Sequence, residues 1–198
     1  MIRRLRTPQD VQRFLHLLPY NHEEGGETLR TFRGVLQHRS AHCLEAALFA
    51  ATVLEEHGYP PLLLSFASID GLDHVIFPFS EKGKWGSVAR SRDPGLHGRK
   101  PVFATPRQLA ASYMETYVDL TGRITGFAVA DLRDLRGYDW RFSAGNVWKV
   151  ERWLIDYPHR ALAMSDRRYE KLFARYQGYK ARHPDRKPVY YASRRFWM

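Results

Sequence analysis

The stretch from His42 to His57 constrains this chain more than any other. Leu44, Ala47, Leu48, Ala51 and Leu54 recur at the spacing of one helical face. Ala41, Ala46, Ala47, Ala50 and Ala51 favour both helix and close packing. Gly58 suits a helix cap, and Pro60-Pro61 forbids continuation. The next segment, Leu62-Leu63-Leu64-Ser65-Phe66, reads as a buried strand. After a turn at Asp70-Gly71, His74-Val75-Ile76-Phe77-Pro78-Phe79 reads as a second strand. Glu81-Lys82-Gly83-Lys84 is a hairpin turn, and Trp85 to Ser91 is the returning strand. Pro78 points to an edge or a bulge, since it cannot donate to a ladder.

The flanks are helical. Thr7 is an N-cap with Pro8 at the first position and Asp10 in the first turn; Val11, Phe14, Leu15 and Leu18 follow at helical spacing and Pro19 stops the run. Leu29, Phe32, Val35 and Leu36 suggest another helix. Pro94-Gly95, Gly98 and Pro101 mark a loop, and Thr105-Pro106 caps a helix running to about Asp119. Residues 122–145 show no clear pattern. Val147 to Tyr157 and Asp166 to Tyr179 read as the last helices. Helices, one long helix, an antiparallel meander and then helices make an α+β chain.

A hydrophobic fraction of 44% is ample for a core, and no apolar run is long enough for a membrane span, so membrane partners are not expected. The charged N-terminus lacks the apolar stretch of a signal peptide, and one cysteine gains nothing from an oxidising compartment; a cytoplasmic protein is expected. The net charge of +10 is concentrated. From Arg167 onward, ten Lys or Arg face only Glu170 and Asp185, so the body is nearly neutral. In that segment Lys171, Arg175, Lys180, Arg182, Arg186, Lys187, Arg194 and Arg195 alternate with Tyr169, Phe173, Tyr176, Tyr179, Tyr190, Tyr191, Phe196 and Trp197. The pattern is compatible with nucleic-acid binding. Docking on the core is preferred, because so many aromatics are costly to expose.

The sole cysteine, Cys43, falls in the first turn of the long helix, where free N–H groups and the positive dipole end favour a thiolate. The competing reading is an inert buried thiol. His74 opens the following strand, where a helix N-terminus could meet it, and a base within reach of a thiol is the minimum for a Cys-His pair. A rival reading makes His38, His42, Cys43 and His74 a metal cluster. Ser40-Ala41 interrupts the helix between the first two, so no metal and no cofactor is expected.

The order of these elements, "AHCLEAALFAATVLEEHGYPPLLLSF", then "LDHVIFPF", then "KWGSVARSRDP", resembles the transglutaminase-like superfamily, most closely a group of bacterial members. The similarity covers Arg39 to about Tyr117. It implies a papain-like α+β core in which the Cys-bearing helix packs on a small antiparallel sheet. Residues 1–165 would form that domain with flanking helices, and 166–198 the basic, aromatic-rich segment. Cys43 would be the nucleophile and His74 the general base of a peptidase, amidase or transamidase acting on a peptide or other amide substrate. The family places an Asp a few residues after the tryptophan, but here those positions hold Ser87, Val88 and Ala89. Reflecting His74 through the turn at 82–83 lands on Ser91, whereas a carboxylate to orient the imidazole would be Asp93; both stay open. Gln37, six residues before Cys43, has the spacing of a papain-like oxyanion glutamine, although an exposed loop residue reads as well. A core that keeps the fold without activity, serving as a binding module, is the alternative.

Overall fold

The computed structural model describes residues 1–71, 74–119, 122–186 and 194–198. Lys187, Tyr190 and Tyr191, named above, lie outside the described residues. The first helix, α1 (Pro8–His16), starts as its caps dictate: Thr7 Oγ1 accepts from Asp10 N–H, and the Asp10 carboxylate accepts from Thr7 N–H. After α2 (Phe32–His38), Arg39 takes a left-handed conformation (φ 53°) that ends the helix and turns the chain toward α3 (Cys43–Glu55). Every α3 residue from Leu44 to Leu54 is buried, and the alanines let neighbouring elements approach closely. Gly58, with φ 87°, supplies the exit.

The strands β1 (Leu62–Ser68), β2 (His74–Glu81), β3 (Lys84–Val88), β4 (Arg99–Phe103), β5 (Ile124–Asp131) and β6 (Arg160–Ala161) form one six-stranded antiparallel sheet. Its order is β4-β3-β2-β1-β5-β6. Strand alternation sends Leu63, Val75, Phe77, Phe79 and Ala130 into one core with α1, α2 and α3. Leu64, Phe66, Ile76 and Phe127 enter a second core on the opposite face. That face is covered by α4 (Pro106–Ala111), α5 (Met114–Tyr117) and α7 (Asp166–Arg182); α6 (Trp148–Ile155) joins the first core. The result is a three-layer α+β fold.

Three elements depart from the sequence reading. The patternless region 122–145 contains β5, whose ladder with β1 runs from Leu62↔Asp131 to Ser68↔Ile124. Gly126 interrupts its alternation where His159 Cβ and Arg160 O come within 3.3 Å of where a Cβ would stand. The stretch read as a loop around Pro101 contains β4, and proline is tolerated there because β4 is the edge strand. The single helix expected over 105–119 is two, α4 and α5. Ser112 Oγ donates to Leu109 O at the break and Tyr113 drives into the core. Pro78 sits in an interior strand, but the pairing of β2 with β1 stops at Ile76, so its missing N–H falls beyond that ladder.

The described parts of the C-terminal segment, α7 and residues 194–198, pack on the body. Leu172 and Tyr176 of α7 are buried, and Tyr169, Phe173 and Tyr176 stack in a row. Phe196 lies against Phe103, and Trp197 bridges Arg99 on the outer edge of β4. Arg167, Arg168, Lys171 and Arg175 point to solvent. Among the described residues, no helix is long and apolar enough to cross a membrane.

Candidate active site

Cys43 is the first residue of α3, and the structure holds that helix end by an unusual cap. His42 is the N-cap: Leu44 N–H donates to its Nδ1 at 3.3 Å, while its own backbone N–H donates to Glu45 Oε2 at 3.1 Å. Glu45 is fully buried. Its cost of burial is offset by donors from all sides: Asn21 Nδ2 at 3.1 Å, Thr28 Oγ1 at 2.9 Å and Arg30 N–H at 3.0 Å. The loop that brings these donors is tied in register by a parallel bridge between Tyr20 and Ala41. Glu45 therefore fixes both the helix start and the wall beside the thiol.

Two imidazoles act on Cys43. Burial pushes the thiol up, but hydrogen bonds and charge from His42 and His74 outweigh it and bring Cys43 down to about 5. The effect is mutual at His42. Burial pushes that ring down, while Cys43, the Glu45 carboxylate and the Thr28 carbonyl raise it to about 9. Its Nε2–H donates to Thr28 O at 2.9 Å, with Glu45 Oε1 at 3.7 Å and Glu23 Oε1 at 3.9 Å. The thiol is half-buried, open to the cleft described below.

His74 opens β2 and is 3% exposed. Its ring stacks on Phe66 (6.0 Å, 8°) and tilts against Tyr113 at 6.1 Å. Nε2–H donates to the Leu96 carbonyl at 3.1 Å, which fixes the proton on that nitrogen and leaves Nδ1 for the sulfur. The orienting contact is thus a backbone oxygen. Both residues raised for this role build the turn that presents it. Ser91 Oγ accepts from Asp93 N–H at 3.1 Å, and the Asp93 carboxylate accepts from Gly95 N–H at 2.8 Å, capping the short 3-10 turn Pro94–Leu96. The hairpin register of β2 with β3, extrapolated, does bring residue 91 opposite His74, but β3 ends at Val88.

Behind this turn lies Arg99, buried at 1% exposure. Its guanidinium donates to Gly95 O at 2.6 Å and to His97 O at 2.7 Å, and it stacks over Tyr113 at 4.1 Å. Holding the carbonyls on either side of Leu96, it leaves the Leu96 carbonyl turned toward His74. His97 packs beside His16, with Nδ1 and Nε2 3.0 Å apart, and near Arg90 Nη1 at 3.0 Å. Burial, reinforced by His16, Arg90 and His74, takes His97 down to about 4, against a smaller opposing effect of the Ser91 carbonyl.

Cys43, His42 and His74 line a cleft of about 890 Å³ together with Tyr20, Glu23, Ser91, Asp93 and Trp148. Gln37 does not join them. It is exposed on α2, on the far side of the Arg39 turn, and is not positioned as an oxyanion donor. His38 is exposed on the same helix, and among the described residues no group of three or more His, Cys, Asp or Glu is arranged to hold a metal ion. Sequence reasoning passed over His42 as an acid–base group, Glu45, Arg99 and the Leu96 carbonyl. The box from His42 to Glu45 was visible as a spacing, but histidine is not a usual cap residue; a carbonyl leaves no trace in sequence. No protein-family model and no curated protein matches the chain.

Proposed function

We propose that the chain is a thiol-dependent acyl-transfer enzyme of transglutaminase-like type, acting on amide bonds as a peptidase, amidase or transamidase. One observation carries the reading: a reachable thiol at a helix N-terminus, drawn down to about 5 by two imidazoles at the wall of a cleft. His74 Nδ1 takes the thiol proton, with its orientation set by the Leu96 carbonyl. The sulfur attacks the substrate carbonyl carbon. Charge developing on the carbonyl oxygen faces the first turn of α3, whose N–H groups and dipole favour an anion. The C–N bond breaks as His74 returns the proton to the leaving amine, giving a thioester on Cys43. Water or a second amine then attacks the thioester and regenerates the thiol.

Two probes test this directly. p-Nitrophenyl acetate should give a burst of p-nitrophenolate and an acetyl group on Cys43 detected by mass spectrometry, absent in Cys43→Ala. Iodoacetamide should alkylate the native protein with a rate that has already levelled off near neutral pH. If Cys43 alkylates only in denaturant and carries no acetyl group, the reading fails.

A further inference from the structure

The cleft contains one more imidazole than a Cys-His pair needs, and it is held differently from the first. His42 Nε2–H is committed to the Thr28 carbonyl at 2.9 Å. Around the ring stand the Glu45 carboxylate at 3.7 Å, itself buried, and Glu23 at 3.9 Å. Glu151 lines the same cleft and interacts with it electrostatically, and Cys43 is its neighbour in the chain. A cation also joins this group: Arg30 Nε lies 3.7 Å from Glu45 Oε1. The remaining ring atom, Nδ1, lies at the long distance of 3.3 Å from Leu44 N–H, a contact that only an unprotonated Nδ1 can accept. A proton on Nδ1 would exchange that contact for donation to the sulfur.

Building on the acyl-transfer reading, we propose that His42 is a second catalytic imidazole, a fixed imidazolium that stabilises the Cys43 thiolate while His74 alone exchanges protons with substrate. The carboxylates of Glu45 and Glu23 compensate its charge, so it keeps its proton through the cycle. No bond to carbon forms or breaks at His42. Its proton comes from solvent, and the proton of the thiol still travels to His74. Donation from Nδ1 to sulfur also releases Leu44 N–H, in the first turn of α3, to face the substrate oxyanion. This assigns separate duties to the two rings: His42 sets the charge state of the nucleophile, and His74 moves the proton.

The test is the pH dependence of iodoacetamide alkylation at Cys43 in the intact protein and in His42→Asn, since asparagine keeps the N-cap. Losing an adjacent opposite charge should move the midpoint upward by about 1–3 units. Because the intact thiol is already mostly ionised at pH 6, the alkylation rate there should fall about twofold for a one-unit shift and about tenfold for two units. A His42→Asn midpoint matching the intact protein would overturn the role of His42 while leaving the acyl-transfer reading in place. A midpoint in the intact protein at the ordinary thiol value would instead overturn that reading. Should His42→Asn fail to fold, the ring nitrogens of the unmodified protein decide by NMR. His42 protonated on both nitrogens at pH 7 supports the proposal, and a neutral His42 ring overturns it.

Discussion

His42 and His74 meet the same sulfur from surroundings of opposite character. His42 rests against carboxylates, Glu45 at 3.7 Å and Glu23 at 3.9 Å, in a wall closed by Asn21 and Thr28. His74 rests against a carbonyl and two aromatic rings, with His97, Arg90 and the buried Arg99 behind them. The acidic wall favours a ring that stays positive. The basic, aromatic wall holds its ring through one Nε2 proton and leaves Nδ1 to work. A cysteine between two such walls can be ionised by one and served by the other, which a symmetric pair of histidines could not do.

Removing His74 gives the largest effect expected of any change to this comparison. His74→Ala should lower the acylation rate with p-nitrophenyl acetate by about 10²–10⁴-fold, the range for loss of a positioned general base. The alkylation midpoint at Cys43 should move less than in His42→Asn. Equal shifts in the two variants would erase the distinction between the walls.

Glu45 is next. Glu45→Ala strips a buried carboxylate from Asn21, Thr28, Arg30 and His42 at once. Breaking such a cluster should cost about 3–5 kcal/mol in urea unfolding at pH 7. A loss under about 1 kcal/mol, the level of an ordinary surface change, would show that the acidic wall is not anchored by Glu45. Glu45→Gln, which keeps the shape, should be milder in stability yet still lower the charge on His42.

The pH dependence of stability separates the walls without mutation. His97 in the unfolded chain titrates near 6.5 but in the fold only at about 4. The unfolded state thus binds more protons in that window, and stability falls as pH drops from about 6.5 toward 4. Cys43 acts in the same direction between its unfolded value of 9.0 and about 5. His42 acts oppositely: its contribution is complete below 6.5 and is lost as pH rises to about 9. From 6.5 to 9 the Cys43 and His42 effects oppose each other, so melting temperature should be nearly flat there and decline on the acid side. His97→Gln should reduce the acid decline. A melting temperature unchanged down to pH 4 would contradict the placement of the half-buried His97 ring.

Much of this arrangement was legible in the sequence because local chemistry and tertiary structure agree there. Thr7, Pro8 and Asp10 define α1, and Gly58 with Pro60-Pro61 ends α3, in the fold as on paper. The hairpin centred at residues 82–83 has the register its turn implies. The illegible parts depend on distant partners. Strand β5 lost its alternation to Gly126, which is there because β6 and His159 crowd it. The partner of His74 proved to be a main-chain oxygen whose direction is set by Arg99, which in sequence is one of many arginines in the chain and carries no mark of its burial. The thiol was visible; the acidic half of its surroundings was not, because Glu45 reads as a routine helix-start acid until its burial is known.

The smallest expected effect is also the most remote from the sulfur. Trp197 covers the Arg99 guanidinium, 5.7 Å from its ring, and bridges the Arg99 backbone, while Met198 N–H donates to Gly98 O at 3.1 Å. The chain end therefore braces the residue that braces the Leu96 carbonyl. Trp197→Ala should cost about 0.5–2 kcal/mol, the range for a cation–π contact between exposed and desolvated sites. The more telling readout is kinetic. Loosening Arg99 frees the carbonyls of Gly95 and His97 and lets the Leu96 carbonyl drift from His74. The acylation rate should drop a few-fold while the alkylation midpoint of Cys43, to which His42 also contributes, moves little. A shift of that midpoint as large as the one from His42→Asn would mean that both walls act through one connected scaffold.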